Sequence, residues 1–225
     1  MGARFVAVVH DRSPLAAFVA ADGPLRHPQD LGGRRVAAST APWFNTEYQG
    51  GLRRLGLAPG VLVGPSTPGA RPSMVRGEVE VIGSWHEAVT TIRRRAEMPV
   101  RAIPFGPDIY VTGLVAGDAV EPEVVQRTVE AFSDAMEQQR HNPILGLHDM
   151  CQRHSNLDPA AVSEEWSVLS TYLDPSRPGR MDASRWEATL LHASHTHGFS
   201  PAPLAAICRE ELLREPVAAD EARSR

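Results

Sequence analysis

The sequence predicts an α/β protein built on an open sheet with helices on its faces. Three observations predict it. Short apolar runs of strand length alternate with helical patterns from Val36 to Val115, in the order strand, helix, strand, helix, strand, helix, strand, strand. Turn signals rich in Gly and Pro separate the runs. The 225 residues, 42% hydrophobic and 22% charged, are ordinary for a globular chain long enough to bury a core.

The elements follow in order. Phe5 to Val9 and Leu15 to Ala21 read as buried strands around the polar turn His10-Asp11-Arg12-Ser13-Pro14. Asp22-Gly23-Pro24 turns the chain again, and Val36-Ala37-Ala38 is a short strand. Phe44, Tyr48, Leu52 and Leu55 then share one helical face, with Thr40 as N-cap, Pro42 in the first turn and Gly56 as the stop. Gly50-Gly51 weakens that helix by about 1 kcal/mol per glycine relative to alanine. Val61 to Val63 is a strand, Pro65 to Pro68 a loop, Pro72 to Arg76 a short helix and Val79 to Ile82 a strand. Glu87 to Arg95 is helical, and Val100 to Pro104 and Ile109 to Val115 are strands. A helical region follows. Its first helix opens at Glu121-Pro122, presents Val125, Val129, Phe132 and Met136 on one face, and breaks at Pro143. Helices at Leu145 to His154, Pro159 to Tyr172, Ala183 to His197 and Pro201 to Arg214 complete it, two of them signalled by Asp158-Pro159 and Ser200-Pro201.

Composition excludes several chemistries. The chain has no lysine, so class I aldolase chemistry on a Schiff-base lysine, lysine-anchored pyridoxal enzymes and a Walker A loop are ruled out. A net charge of −4 with scattered arginines gives no footprint for nucleic acid. The run Arg93-Arg94-Arg95 ends a helix, where positive charge suits the macrodipole. Cys151 and Cys208 are far apart, form no CxxC pattern and read as two buried free thiols, with a single bridge as the other reading. No apolar stretch is long enough to span a bilayer, so the chain is expected not to cross a membrane. The apolar run at Phe5 to Val9 is shorter than the core of a secretory signal, which places the chain as written in the cytoplasm. A periplasmic or extracellular location follows if the true start lies upstream.

No G-x-S-x-G elbow, HExxH or GxGxxG after a strand is present, and no catalytic residue is assigned. His192, His195 and His197 lack a carboxylate or cysteine to complete a ligand set, so they read as structural or exposed, and neither a metal nor a cofactor is expected. Three polar turns are candidate ligand contacts, because small molecules collect at the carboxyl ends of strands in open α/β sheets. Ser39-Thr40 precedes a helix whose first amides favour an anion, with Asn45 and Thr46 in its first turns; a plain N-cap is the other reading. Ser84-Trp85-His86 ends a strand, where tryptophan can stack on a ligand and histidine can hydrogen-bond to it; a core tryptophan beside an exposed histidine is the other reading. Asp11-Arg12-Ser13 is the third turn, and a local surface Asp–Arg pair is its other reading.

The ordered segments resemble a known family. Pro28 to Ala37, with Asp30-Leu31-Gly32-Gly33-Arg34-Arg35-Val36 at its centre, resembles the "DLkGKrVav" signature of ABC-transporter substrate-binding proteins. The branch it is similar to serves aliphatic sulfonates, taurine, nitrate and the thiamine-pyrimidine precursor. Gly77 to Trp85 is similar to the family's "GeVDAvvgWep" segment, with Glu80 where the family usually has Asp. Glu121 to Phe132 resembles its "nPevvqrfvrA" helix, and Arg12-Ser13-Pro14-Leu15 fits a strand pair before the signature.

The resemblance implies a type II periplasmic-binding-protein fold, in which two α/β lobes close on a small ligand by hinge motion. Residues 31–105 would be one complete lobe. Residues 1–30 and 106–217 would be a partial first lobe with carboxyl-terminal helices, and 218–225 a disordered tail. Ser39, Thr40, Asn45, Thr46, Ser84, Trp85 and His86 would contact the ligand from the complete lobe, with Asp11, Arg12 and Ser13 near the cleft. The family's opening strand and its "G.aDfg" segment have no counterpart here, so a truncated amino end is expected, with apolar surface that a second copy of the chain would cover. The implied partners are a small anionic or heteroaromatic molecule and the permease subunits of an ABC transporter. Desulfinases and pyrimidine synthases share the fold, which leaves a cytoplasmic enzyme or a non-functional fragment as the other readings. The desulfinase nucleophile, a cysteine near the amino terminus, has no counterpart here, nor does the synthases' cysteine-rich motif.

Overall fold

The computed structural model describes residues 2–37, 42–64, 73–174, 179–198, 200, 202–209 and 213–214. In chain order the strands and helices are β1 (Ala3–Val8), β2 (Leu15–Ala20), β3 (Arg35–Ala37), α1 (Pro42–Arg54), β4 (Val61–Leu62), β5 (Val81–Trp85), α2 (Val89–Ala96), β6 (Val100–Pro104) and β7 (Gly113–Gly117). The helical half holds α3 (Pro122–His141), α4 (Pro143–Arg153), α5 (Pro159–Leu169), β8 (Met181–Asp182), α6 (Ala183–His197), α7 (Leu204–Ile207) and β9 (Leu213–Arg214). Two compact units divide them. One comprises Pro14–Pro107 and Met150–Thr171; the other comprises the chain up to Ser13, Asp108–Asp149 and the chain from Tyr172 onward.

The first of these, the sheet unit, is built on five strands in the order β4-β3-β5-β2-β6. The three strands β4, β3 and β5 run parallel, and β2 runs antiparallel to both its neighbours. The continuous apolar run of β2 has a direct cause: successive side chains point to opposite faces, and both faces are covered. Leu15, Ala17 and Val19 pack with Phe44, Tyr48 and Leu52 of α1, while Ala16 and Phe18 pack with Val89, Ile92 and Ala96 of α2. The expected α1 face is therefore the buried one. Gly51 lies on it because a Cβ there would stand 2.7 Å from the Phe105 ring, so the glycine that costs helix propensity permits close packing. Glu80 ties the starts of two strands: its carboxylate accepts from Arg34 Nη1 at 3.1 Å and from the Arg35 backbone N–H at 3.2 Å.

Helix α5 joins the same unit. Asp158 caps it, accepting from the Ala160 N–H at 3.0 Å, as the Asp-Pro start signal implies. The Thr90 hydroxyl donates to Glu165, and Arg93 pairs with Glu164. Arg93 thus links two helices rather than only serving the end of its own. The boundaries expected at 30/31 and 105/106 differ from this division for two reasons. Strand β2 inserts between β5 and β6, and α5 packs on the sheet unit through α2.

In the helical unit, β1 and β7 pair antiparallel, with a register shift between Phe5 and Ala7. The core gathers Val8, Tyr110, Met181, Trp186 and Cys208. The Phe5 and Tyr110 rings lie 4.8 and 5.3 Å from Trp186. Helix α6 has the expected bounds, with Asp182 accepting from the Arg185 N–H at 3.0 Å as its cap. On α3 only Val125 of the expected face is buried; Val129, Phe132 and Met136 are half-buried.

Three expected elements differ. The strand at Ile109 to Val115 begins only at Gly113. Before that, Tyr110 turns inward, its backbone N–H donates to Thr189 Oγ1, and its hydroxyl accepts from the Asp182 N–H. The carboxyl-terminal helix shrinks to Leu204–Ile207, because Cys208 bridges in parallel to Phe5 and the Arg209 N–H donates to the Phe5 carbonyl at 3.1 Å. Among the described residues of the short helix expected at Pro72 to Arg76, Met74 to Gly77 form a turn. Arg71 and Pro72 lie outside the described residues, as do Pro65 to Pro68, Pro201 and the expected tail at 218–225.

Candidate ligand site

The sheet unit brings together residues that the sequence separates by four tens of positions. β3 leads into α1, and β5 is the parallel neighbour of β3, so the start of α1 and the carboxyl end of β5 meet at one sheet end. Register holds β5 in place: Trp85 pairs with Leu15 and Ser84 with Ala16, and the His86 N–H donates to the Pro14 carbonyl at 2.7 Å. Gly83 lets α1 approach closely. A Cβ there would lie 2.9 Å from two atoms of the Tyr48 ring.

Aromatic rings dominate this end. Trp85 stacks on Trp43 at 5.8 Å between centroids with planes 30° apart. Phe44 meets Trp85 edge-on at 5.2 Å and 83°, and meets Trp43 edge-on at 6.0 Å and 76°. Phe44 is buried, Trp85 is half-buried, and Trp43 is 53% exposed. Asn45, half-buried, follows Phe44 in α1, whereas Ser84 pairs with Ala16 and the His86 ring lies 6.5 Å from Phe18, which places both on the α2 face of the sheet. Asn45 Oδ1 is buried without a hydrogen-bond partner among the described residues. Burial lowers the His86 pKa below its ordinary 6.5, so its imidazole is neutral at pH 7. Glu87 follows it with a buried Oε2 that has no described partner; burial first, and the nearby Glu165 charge, raise its pKa.

The sequence-predicted residues fall as follows. Trp85 meets the start of α1, which also carries Asn45, while Ser84 and His86 lie at the end of the same strand on the opposite face of the sheet. Thr46 lies in the same helix, but its hydroxyl donates to the Pro42 carbonyl at 3.1 Å, within α1 itself. Ser39 and Thr40 lie outside the described residues. Asp11, Arg12 and Ser13 belong to the helical unit. There Asp11 pairs with Arg185, Nη1 to Oδ2 at 3.2 Å, and Arg185 Nη2 also bonds the Asp11 carbonyl and, at 2.8 Å, Asp108 Oδ1. Burial raises the Asp11 pKa, opposed by Arg185. The Arg12 guanidinium sits 5.7 Å over the Tyr172 ring, and Ser13 is buried. The partner of Asp11 is thus a long-range arginine with no signal in the local sequence. Trp43 was also missed, although its position one residue off the Phe44, Tyr48, Leu52 face marks it as a tryptophan that helix packing leaves uncovered.

His192, His195 and His197 lie in α6, which runs through His197, and no group of three or more His, Cys, Asp or Glu among the described residues could hold a metal ion. Cys208 is free and buried, its thiol pushed up to about 11 by burial; Cys151 is free and only half-buried, against the expectation that both are buried. No helix of the described residues is long and apolar enough to cross a membrane.

No protein-family model matches the chain, and no curated protein matches it. Solved structures do. The periplasmic aliphatic sulphonate binding protein SsuA from Escherichia coli superposes with a TM-score of 0.66 at 16% identity, over 93% of this chain and 74% of that one. The alkanesulfonate-binding protein SsuA from Xanthomonas axonopodis pv. citri, bound to MOPS, gives 0.61 at 17% identity, over 95% and 74%. The desulfurization enzyme DSZB gives 0.57 at 16% identity, over 90% and 75%. The chain therefore has an α/β fold of the type II periplasmic-binding-protein kind.

Proposed function

We propose that this chain is a small-molecule-binding module that holds an anionic or heteroaromatic ligand for ABC-type uptake. The ligand classes are sulfonate, taurine, nitrate and pyrimidine precursor. One observation carries the reading: at the carboxyl end of β5, Trp85 and Trp43 form an aromatic surface, and Asn45 in the same helix as Trp43 has a buried carbonyl oxygen with no partner among the described residues. Aromatic rings with a few convergent polar atoms recognise small molecules without chemistry. The fold shared with SsuA supports the same reading, and a periplasmic setting and permease partners belong to it. Ser39, Thr40, Asp11, Arg12 and Ser13 are further proposed contacts.

A thermal-shift screen with alkanesulfonates, taurine, nitrate and pyrimidines tests the reading. At a hundred times Kd a ligand stabilises the folded state by about 2.7 kcal/mol, well within the range of detection. At least one compound is expected to raise Tm, and Trp85→Ala is expected to abolish the shift. No shift with any compound would count against binding.

A second reading, an enzyme, is favoured by the match to DSZB, a mutant of which is described in complex with biphenyl-2-sulfinic acid. The raised thiol pKa makes Cys208 a poor nucleophile for it. Sulfite released from biphenyl-2-sulfinate by the purified chain would favour the enzyme.

A further inference from the structure

Trp43 is the large aromatic residue that folding leaves most open at this site. Helix α1 buries Phe44, Tyr48 and Leu52 against the sheet, and a step of one residue turns Trp43 about 100° away from that face. Its indole stays 53% exposed, yet it is braced by Trp85 in near-parallel stacking and by Phe44 edge-on. A ring held this way loses little freedom when a ligand covers it.

We propose that Trp43 makes this site selective for planar aromatic acids over aliphatic acids of the same charge and size. The inference rests on the binding reading above and narrows its ligand class. A planar ring gains offset stacking on the indole in addition to the area it buries, whereas a saturated ring gains the buried area alone. Trp43 acts as a specificity-determining contact, with Trp85 and Phe44 as its supports.

The test uses benzenesulfonate and cyclohexanesulfonate, which share charge and carbon count and differ in planarity. Titration calorimetry on the wild-type chain is expected to give about fivefold tighter binding for benzenesulfonate, within the range expected of one aromatic pair. Trp43→Ala is expected to bring the two affinities together, and Trp43→Phe to restore part of the difference. The Ala variant is expected to keep the wild-type circular dichroism, with a Tm lowered only by the lost ring contacts. Equal affinities in the wild-type chain would overturn the selectivity while leaving the binding reading intact, as would a ratio that Trp43→Ala does not move. Binding of neither sulfonate, or of any other compound in the screen, would overturn the binding reading and this inference with it.

Discussion

Glu80 and Glu87 lie in the same unit and are displaced in opposite directions. The Arg35 backbone N–H, with help from Arg34, holds the Glu80 carboxyl below its ordinary 4.5. Its contribution to stability is therefore present above that value and lost as pH falls through the lower folded value. Burial holds Glu87 above 4.5. Its contribution is complete below 4.5 and lost as pH rises through the raised folded value. Glu87→Gln keeps the neutral form at every pH, so it is expected to raise Tm at pH 7 and to flatten the profile between pH 4.5 and 7. Glu80→Gln is expected to lower Tm at pH 7 and to change it little in strong acid. Melting curves across this range check both. A Glu87→Gln chain that melts earlier than wild type at pH 7 would mean that the charged carboxylate has a favourable partner. Neither effect is legible from residue type alone. Both carboxylates flank the same β-strand segment, and only the three-dimensional neighbours separate them.

At the scale of elements, the contact between α1 and β5 sets the geometry of the candidate site. Gly83 is where the helix comes closest, so Gly83→Ala drives a methyl into the buried Tyr48 ring. Overpacking of this kind is expected to cost about 1–3 kcal/mol. Gly64→Ala is the control, since a Cβ there meets nothing within 4 Å among the described residues. Denaturant titrations of both variants check the pair; equal stabilities would show that α1 yields without cost.

Periodicity made much of this packing legible. The spacing of Phe44, Tyr48 and Leu52 names the buried face of α1, and the apolar run of β2 names a strand covered on both faces. It did not reveal that β2 pairs between β5 and β6, because strand order depends on long-range pairing that a local pattern does not encode. The strand expected at Ile109 failed for a related reason: Tyr110 spends its hydrogen bonds on α6 and its cap. The carboxyl-terminal helix was overextended because its apolar residues are claimed by the edge of β1.

At the scale of the whole molecule, the fold class was readable from the order of degenerate segments, and structural superposition supports it at identities of 16–17%. The candidate site was readable in part. Ser84-Trp85-His86 stood out because a polar-aromatic turn ended a strand, and Asn45 because it followed a helix start. Neither reading of Asp11, a ligand contact or a local pair with Arg12, contains Arg185, 174 residues away along the chain. Trp43 carries no motif, and only its offset of one residue from the Phe44, Tyr48 and Leu52 face marks it.

The central claim is that the aromatic end of β5 binds a small molecule. Titration calorimetry of the wild-type chain and of Trp85→Ala, with the strongest compound from the screen, tests it most directly. The account predicts saturable one-to-one binding to the wild-type chain, weakened at least about tenfold in the variant, a change of about 1.4 kcal/mol. An affinity that Trp85→Ala leaves unchanged, with the variant folded as judged by its Tm, would contradict it.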